Sequence, residues 1–289
     1  MTTKPYEYSK GESVMKKAIS LQRFQTPLYL AAFFALPMLL GYPAASHAET
    51  AAEIMQKVED RDEGDNSIAE MEMVLIDKRG NERIRKIKSF TKFKGKDRQR
   101  IMFFLHPADV KGTGFLTYDY DDQKVDDDQW LYLPALRKSK RIASSDKDGS
   151  FMGSDLTYAD MTSRNLGDYE FKLIKEDAVE GKPVWIIESN PNERAIEETG
   201  YTKSILFVRK DNYVVIRGKH WVKDGNKEKY LDVKKLEQID GIWVTTEIHV
   251  TTKKGKNTLH KTVLNFSNVK YNQNFPEDIF TIRNLEKGL

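Results

Sequence analysis

The chain has 289 residues and no cysteine, with 47 Lys and Arg side chains against 44 Asp and Glu side chains. The absence of thiols excludes disulfides, zinc–thiolate sites, cysteine nucleophiles and the lipid-modified cysteine of a lipoprotein. The surplus of three positive charges falls within residues 1–48, so the following 241 residues are neutral and lack the basic footprint of a nucleic-acid-binding protein.

The amino-terminal segment is predicted to be a signal peptide over residues 1–48. A basic stretch precedes an apolar run over residues 27–45, and small residues occupy the −3 and −1 positions of a cleavage site between Ala48 and Glu49. We therefore expect export to the periplasm and a single mature domain over residues 49–289. An uncleaved membrane anchor is the alternative, because the apolar run is nearly long enough to span a bilayer.

A helix and then many strands are predicted after this segment. Thr50 and Glu53 have the spacing of a capping box, an apolar stripe at helical spacing follows them, and the helix is expected to end near Gly64. The period then changes to two, beginning with Met71 and Met73 on one face of a strand. The further predicted strands cover residues 84–93, 98–105, 114–120, 129–133, 169–176, 184–188, 203–209, 213–222, 229–237, 242–251 and 259–271.

Short turns rich in Gly, Asn and Asp separate these strands, and such turns favour antiparallel neighbours. We therefore predict a mainly β fold with one large, curved antiparallel sheet. Several strands carry bulky apolar residues on both faces, as in Trp185 beside Ile186. Either helices and other parts of the sheet cover both faces, or the sheet encloses an apolar pocket, and the pattern leaves both interpretations open.

The segment over residues 134–165 has a different character, because it is long, basic and then rich in Ser and Gly. A short helix is predicted within it, from Ser154 to Met161. Its large apolar side chains either pack on the sheet as a plug or form a lid over a cavity, with Arg137 and Arg141 as candidates for binding a head group or a partner. The candidate lipid-binding residues in and just before this segment are Trp130, Tyr132, Leu133, Phe151, Met152, Leu156 and Tyr158.

Catalytic and metal-binding motifs are missing from the sequence. It contains no G-x-S-x-G elbow, and the four histidines after residue 48 do not have metal-ligand spacing. We therefore predict a protein that is not an enzyme and has no cofactor and no metal site.

Four stretches together resemble a known family. They are RQRIMFFLHP with KGTG (98–114), WLYLPALRKSKRI (130–142), SFMGSDLTYAD (150–160) and NFPEDIF (274–280). In these stretches the chain resembles the outer membrane lipoprotein-sorting proteins, distant relatives of the periplasmic lipoprotein carrier LolA. The resemblance implies an unclosed antiparallel β-barrel whose short helices act as a lid over a hydrophobic cavity. It also implies a functionally important arginine, which is either Arg98 or Arg100.

Two functions follow from this resemblance. The first is a periplasmic carrier or chaperone that holds a lipid or a lipoprotein acyl chain for transfer across the envelope during outer membrane biogenesis. The alternative is an accessory or sensor subunit that docks on an RND-type membrane exporter or a signalling protein without carrying lipid.

Overall fold

The computed structural model describes residues 48–289, so the predicted signal peptide lies outside the described residues except for Ala48. The helices are α1 (Ala51–Glu59), α2 (Glu193–Thr199) and α3 (Ile282–Lys287). The strands are β1 (Asn66–Asp77), β2 (Glu82–Lys94), β3 (Asp97–His106), β4 (Gly114–Asp119), β5 (Asp128–Leu133), β6 (Lys138–Arg141), β7 (Tyr169–Val179), β8 (Lys182–Pro191), β9 (Tyr201–Arg209), β10 (Val215–Val222), β11 (Glu228–Ile239), β12 (Ile242–Lys254) and β13 (Asn257–Tyr271). Within this part of the chain, no helix has the length and apolar character needed to cross a membrane.

All thirteen strands of this region form one antiparallel sheet. Its strand order is β6-β5-β4-β3-β2-β1-β13-β12-β11-β10-β9-β8-β7. Two meanders, β1–β6 and β7–β13, are therefore joined where β1 pairs with β13, with Met73 opposite Leu264. Because β6 and β7 remain separate edges, the sheet is not closed, and the prediction of a large antiparallel sheet is confirmed.

Helix α1 begins as the sequence predicts. The Thr50 hydroxyl accepts a hydrogen bond from the Glu53 N–H at 3.2 Å, and the Glu53 carboxylate accepts one from the Thr50 N–H at 2.7 Å. The helix ends at Glu59 rather than near Gly64. Gly64 instead has a φ of +72°, and a Cβ there would lie 2.6 Å from the Tyr271 ring, so this glycine lets the chain turn closely over β13 into β1.

Both faces of the first meander are covered, and so is one side of β8 and β9. One side of β8 and β9, including Ile187 and Leu206, packs against the buried side of α1. In the first meander, the inner face is defined here by the buried side chains Met71, Met73, Leu75, Ile87, Met102, Phe104 and Phe115. The opposite, outer face carries Phe103 and Leu116, which the carboxyl-terminal residues Phe280 and Leu285 cover.

The connection between β6 and β7, residues 142–168, is called the crossing segment below. The predicted helix over residues 154–161 is wrong, because this part of the segment forms only a single 3₁₀ turn at Ala159–Met161, preceded by another at Phe151–Gly153, and one isolated bridge between Ser150 and Thr157. Local side-chain to backbone bonds compete with a helix here, since the Ser154 hydroxyl donates to the Phe151 carbonyl at 2.7 Å.

Candidate functional site

A cavity of about 470 Å³ lies between the inner face and the crossing segment. Its volume falls within the range of roughly 300–1,000 Å³ typical of ligand sites. Most of its wall is apolar and comes from both meanders and from the crossing segment, including Met71, Met73, Met102, Phe151, Leu156, Met161, Leu231, Ile248, Val250, Leu264 and Phe266. The interpretation in which the sheet encloses an apolar pocket is therefore the one that the structure supports.

An aromatic cluster lies behind the cavity wall and reaches the cavity through Phe151. The fully buried ring of Phe151 lies 5.0 Å from the Phe115 ring, 5.6 Å from the Tyr158 ring and 6.3 Å from the Phe104 ring, measured between centroids. Contacts of this kind add to the free energy gained from burial alone. Phe151 thus holds the crossing segment against the inner face.

The structure divides the candidate lipid-binding residues into three groups. Phe151 and Leu156 line the cavity. Leu133, Met152 and Tyr158 pack on the same inner-face core without lining it. The position of Met152 is fixed by its left-handed φ of 51° and by a hydrogen bond that its carbonyl accepts from Arg85.

Trp130 and Tyr132 form the third group and lie on the outer face. In β5 the buried residues Gln129 and Leu131 point inward, so the alternation of the strand turns Trp130 and Tyr132 the other way. Trp130 packs edge-on against Tyr118 at 5.3 Å between centroids. These two side chains contribute to the core beneath the carboxyl terminus, and neither lines the cavity.

Arg98 and Arg100 occupy the same face of β3 but have different surroundings. Arg98 forms ion pairs with Asp119 at 2.5 Å and Glu63 at 3.1 Å, and it donates to the Ser163 hydroxyl at 2.9 Å. Its charge is therefore neutralised within the protein.

Arg100 lines the cavity instead, and its Nε donates to the Thr91 hydroxyl at 3.3 Å. Burial, followed by repulsion from Arg98, lowers the pKa of Arg100 to about 10, so it remains a cation at neutral pH. Of the two arginines, Arg100 is the one that faces the apolar site.

Arg137 and Arg141 lie away from this cavity. Arg137 is exposed and takes a left-handed φ of 49° just before edge strand β6. Arg141, within β6, forms an ion pair with Asp128 of the neighbouring strand, with 2.7 Å between Nε and Oδ1. Their role in binding a head group or a partner stays a prediction.

Three further cations, which the sequence did not single out, also line the cavity: Arg61, Arg164 and Lys229. Arg61 pairs with Glu63 at 3.2 Å, whereas Lys229 donates to the Tyr201 hydroxyl at 3.2 Å. Burial lowers the pKa of Lys229. The three residues come from a loop, the crossing segment and β11, so no local motif could have linked them before the register of the sheet was known.

A polar cleft of about 610 Å³ adjoins the apolar cavity, and the two share Arg61, Glu63 and Arg164 in their walls. The cleft is acidic. Burial raises the pKa of Glu59, and burial together with the nearby Asp119 raises the pKa of Asp127 to about 6. The neighbouring His220 is buried, and burial with the adjacent Arg164 lowers its pKa to about 3, so its ring is neutral.

A buried polar contact fixes the crossing segment to β13. The Asp155 carboxylate accepts hydrogen bonds from the Thr262 hydroxyl at 2.7 Å and from the Thr252 hydroxyl of β12, and it lies 2.7 Å from Nδ1 of His260. In the part of the chain that the structure describes, no group of three His, Asp or Glu side chains is arranged to hold a metal ion. The Asp155 contacts tie the crossing segment to β12 and β13.

An unclosed antiparallel sheet around an apolar cavity is the architecture of the LolA-like fold. A LolA superfamily protein from Nitrosomonas europaea superposes with a TM-score of 0.62 at 19% identity, over 82% of this chain and 100% of its own. This likeness establishes the fold class.

The family follows from nearer relatives. A DUF1329 family protein from Desulfovibrio piger superposes with a TM-score of 0.74 at 30% identity, over 81% of this chain and 97% of its own. A putative outer membrane lipoprotein-sorting protein domain from Vibrio parahaemolyticus gives a TM-score of 0.72 at 31% identity, over 82% of this chain and 98% of its own. A family model described as an uncharacterized protein matches residues 96–287. The chain belongs to the DUF1329 family.

A search of curated proteins found no match. The predicted resemblance to lipoprotein-sorting proteins is confirmed by the relatives of known structure. None of the three is described as working with an exporter, so the RND-type partner stays a prediction.

Proposed function

We propose that this protein is a periplasmic carrier that binds a lipid or a lipoprotein acyl chain in its apolar cavity and performs no chemistry on it. The observation that carries the proposal is the 470 Å³ cavity, whose wall is mostly apolar and is built from both meanders. The name of the Vibrio relative, which refers to lipoprotein sorting, supports the same function.

Hydrocarbon burial alone supplies enough free energy for such a carrier. Each methylene removed from water contributes about 0.8 kcal/mol, so a dozen methylenes give on the order of 10 kcal/mol before ordering costs. No directional hydrogen bond to the cargo is required for useful affinity.

The crossing segment is proposed to be the movable cover of the cavity. It supplies Phe151, Leu156 and Met161 to the wall, and its backbone hydrogen bonds form local turns rather than the continuous ladder of a strand. Opening therefore has to break the side-chain contacts of Asp155 but no strand ladder of backbone bonds. Segments with few such bonds open at lower free-energy cost than sheet strands. Opening of this cover would admit the cargo.

The exported domain is proposed to begin at Glu49. The first structural feature after that residue is the cap of α1 at Thr50, and the Glu49 carboxylate accepts a hydrogen bond from the Tyr213 hydroxyl at 3.3 Å. The intact mass of the protein recovered from the periplasm tests this boundary.

Native mass spectrometry of the protein purified from cells tests the carrier function. We expect the wild-type protein to carry extractable lipid. Ile248→Trp, which extends a half-buried side chain into the cavity, should abolish the bound lipid without preventing folding. Ile174→Trp, at an exposed position on edge strand β7, is the matched control and should retain the lipid.

Equal lipid content in both variants would contradict a site in this cavity. Lipid-free wild-type protein that nevertheless captures an envelope partner would favour the accessory-subunit alternative.

A further inference from the structure

The charged groups around the apolar cavity are unbalanced. Four cations and two carboxylates contribute to its lining, and the neutral His220 adds no charge. The cations are Arg61, Arg100, Arg164 and Lys229, and the carboxylates are Glu63 and Asp160. The cavity therefore has a positive excess, although the domain as a whole is neutral.

The two carboxylates are already engaged by other groups. Glu63 forms ion pairs with Arg61 at 3.2 Å and with Arg98 at 3.1 Å. Asp160 accepts hydrogen bonds from the Tyr201 hydroxyl and from the Thr157 N–H, both at 2.8 Å.

Among residues 48–289, Arg100, Arg164 and Lys229 form no ion pair with a carboxylate. Within this described part of the chain, Arg100 donates a hydrogen bond to the hydroxyl of Thr91, and Lys229 donates one to the hydroxyl of Tyr201. Carboxylates attract two of them from a distance, Glu63 and Asp119 for Arg100 and Asp160 for Lys229. A partly buried cation without a carboxylate in direct contact is still costly, and the approach of an anion lowers that cost. A guanidinium group also offers paired donors that match the oxygens of a phosphate or carboxylate.

We propose that the cavity takes a hydrocarbon ligand that carries one anionic group, a phosphate or a carboxylate, held by Arg100 and Arg164 with Lys229 beside them. This assignment rests on the proposed carrier function and narrows its cargo to acidic amphiphiles. The charged end of the ligand is placed at these cations, on the cavity side of the acidic cleft, and the chain extends along the methionine-rich inner face.

Calorimetric titration of delipidated protein with three probes of equal chain length tests the proposal: decyl phosphate, decanoate and decan-1-ol. We expect the wild-type protein to bind both anionic probes at least about tenfold more tightly than the alcohol, as charged hydrogen bonds of ordinary strength would give. Inorganic phosphate alone should bind far more weakly, because it gains nothing from the apolar wall.

Arg100→Gln and Arg164→Gln should each reduce the preference for the anionic probes while leaving the affinity for decan-1-ol unchanged. Arg83→Gln, which removes an exposed cation from β2, is the matched control and should keep the preference. If the wild-type protein binds the alcohol as tightly as the anionic probes, the anionic subsite is excluded and the carrier function stands. If it binds none of the three, the carrier function itself fails.

Discussion

Asp127 shows how a single residue of the polar cleft makes stability depend on pH. Burial and the neighbouring Asp119 raise its pKa from 3.8 to about 6. A carboxyl group with a raised pKa holds its proton more tightly in the folded state, so its effect on stability becomes less favourable as the pH rises through this interval. At neutral pH the ionised Asp127 therefore opposes folding.

Asp127→Asn is expected to increase the free energy of unfolding at pH 7 by on the order of 2 kcal/mol, because it removes a charge that the cleft solvates poorly. The amide oxygen can still accept the hydrogen bond that the Tyr120 N–H donates at 3.0 Å. Urea denaturation at neutral pH and near pH 4 measures the effect, which should vanish in acid. Asp121→Asn, at an exposed neighbouring position, is the control, and an equal gain from it would point to general charge reduction instead.

Residue-level reasoning from sequence reached only part of the site. Hydrophobicity and loop context marked Phe151 and Leu156, and both line the cavity, while their role in binding lipid stays a prediction. Arg98 and Arg100 share a strand face, so alternation could not separate the arginine paired with Asp119 from the one facing the cavity. Arg164 was missed because its position depends on long-range packing that no local pattern encodes.

At the scale of elements, alternation and turn residues predicted the long strands well. β6 was not predicted because its four residues contain no apolar side chain, and its place in the sheet comes from pairing with β5. The two short helices α2 and α3 were also missed, since a helix of six or seven residues has little periodic signal.

One ion pair connects two of the elements that alternation could not predict. Lys147 in the crossing segment is 1% exposed, and its ammonium group lies 2.7 Å from a carboxylate oxygen of Glu198 in α2. Removing the acid would leave a buried cation without a partner, whereas removing the lysine would leave Glu198 in partial contact with water.

Glu198→Gln is therefore expected to destabilise the protein by about 3 kcal/mol and to expose the crossing segment to proteases. Limited proteolysis followed by mass spectrometry should locate the first cuts within residues 142–168. The double variant Lys147→Met with Glu198→Gln removes both charges and should recover most of the resistance. Cuts that begin elsewhere would show that this ion pair does not hold the segment.

At the scale of the whole molecule, the pairing of β1 with β13 joins parts of the chain that are far apart in sequence. Met73 and Leu264 face each other across this junction, and both are buried. Contacts this distant carry a large loop-closure cost, whereas the hairpins within each meander are local. We therefore expect the meanders to form before the junction does.

Leu264→Ala should accelerate unfolding and leave the folding rate nearly unchanged, since a contact made after the transition state affects mainly the unfolding rate. Ile186→Ala, a buried position in β8 whose core cluster lies within the second meander, is the comparison and should slow folding. Both variants are expected to lose about 2–5 kcal/mol of stability, so stopped-flow kinetics can resolve the two cases. A slowed folding rate for Leu264→Ala would show that the junction between β1 and β13 has already formed in the folding transition state, contrary to this expectation.

The same junction has a consequence for biosynthesis. β1 is the first strand to leave the ribosome. One of its two neighbours in the sheet is β2, but the other is β13, the last strand to be made. Until translation is nearly complete, β1 presents an unpaired edge, which is the kind of edge that recruits strands from other chains. A premature stop anywhere upstream of β13 would leave that edge permanently open, so truncated products of this gene should aggregate or be degraded rather than persist as a smaller functional fragment.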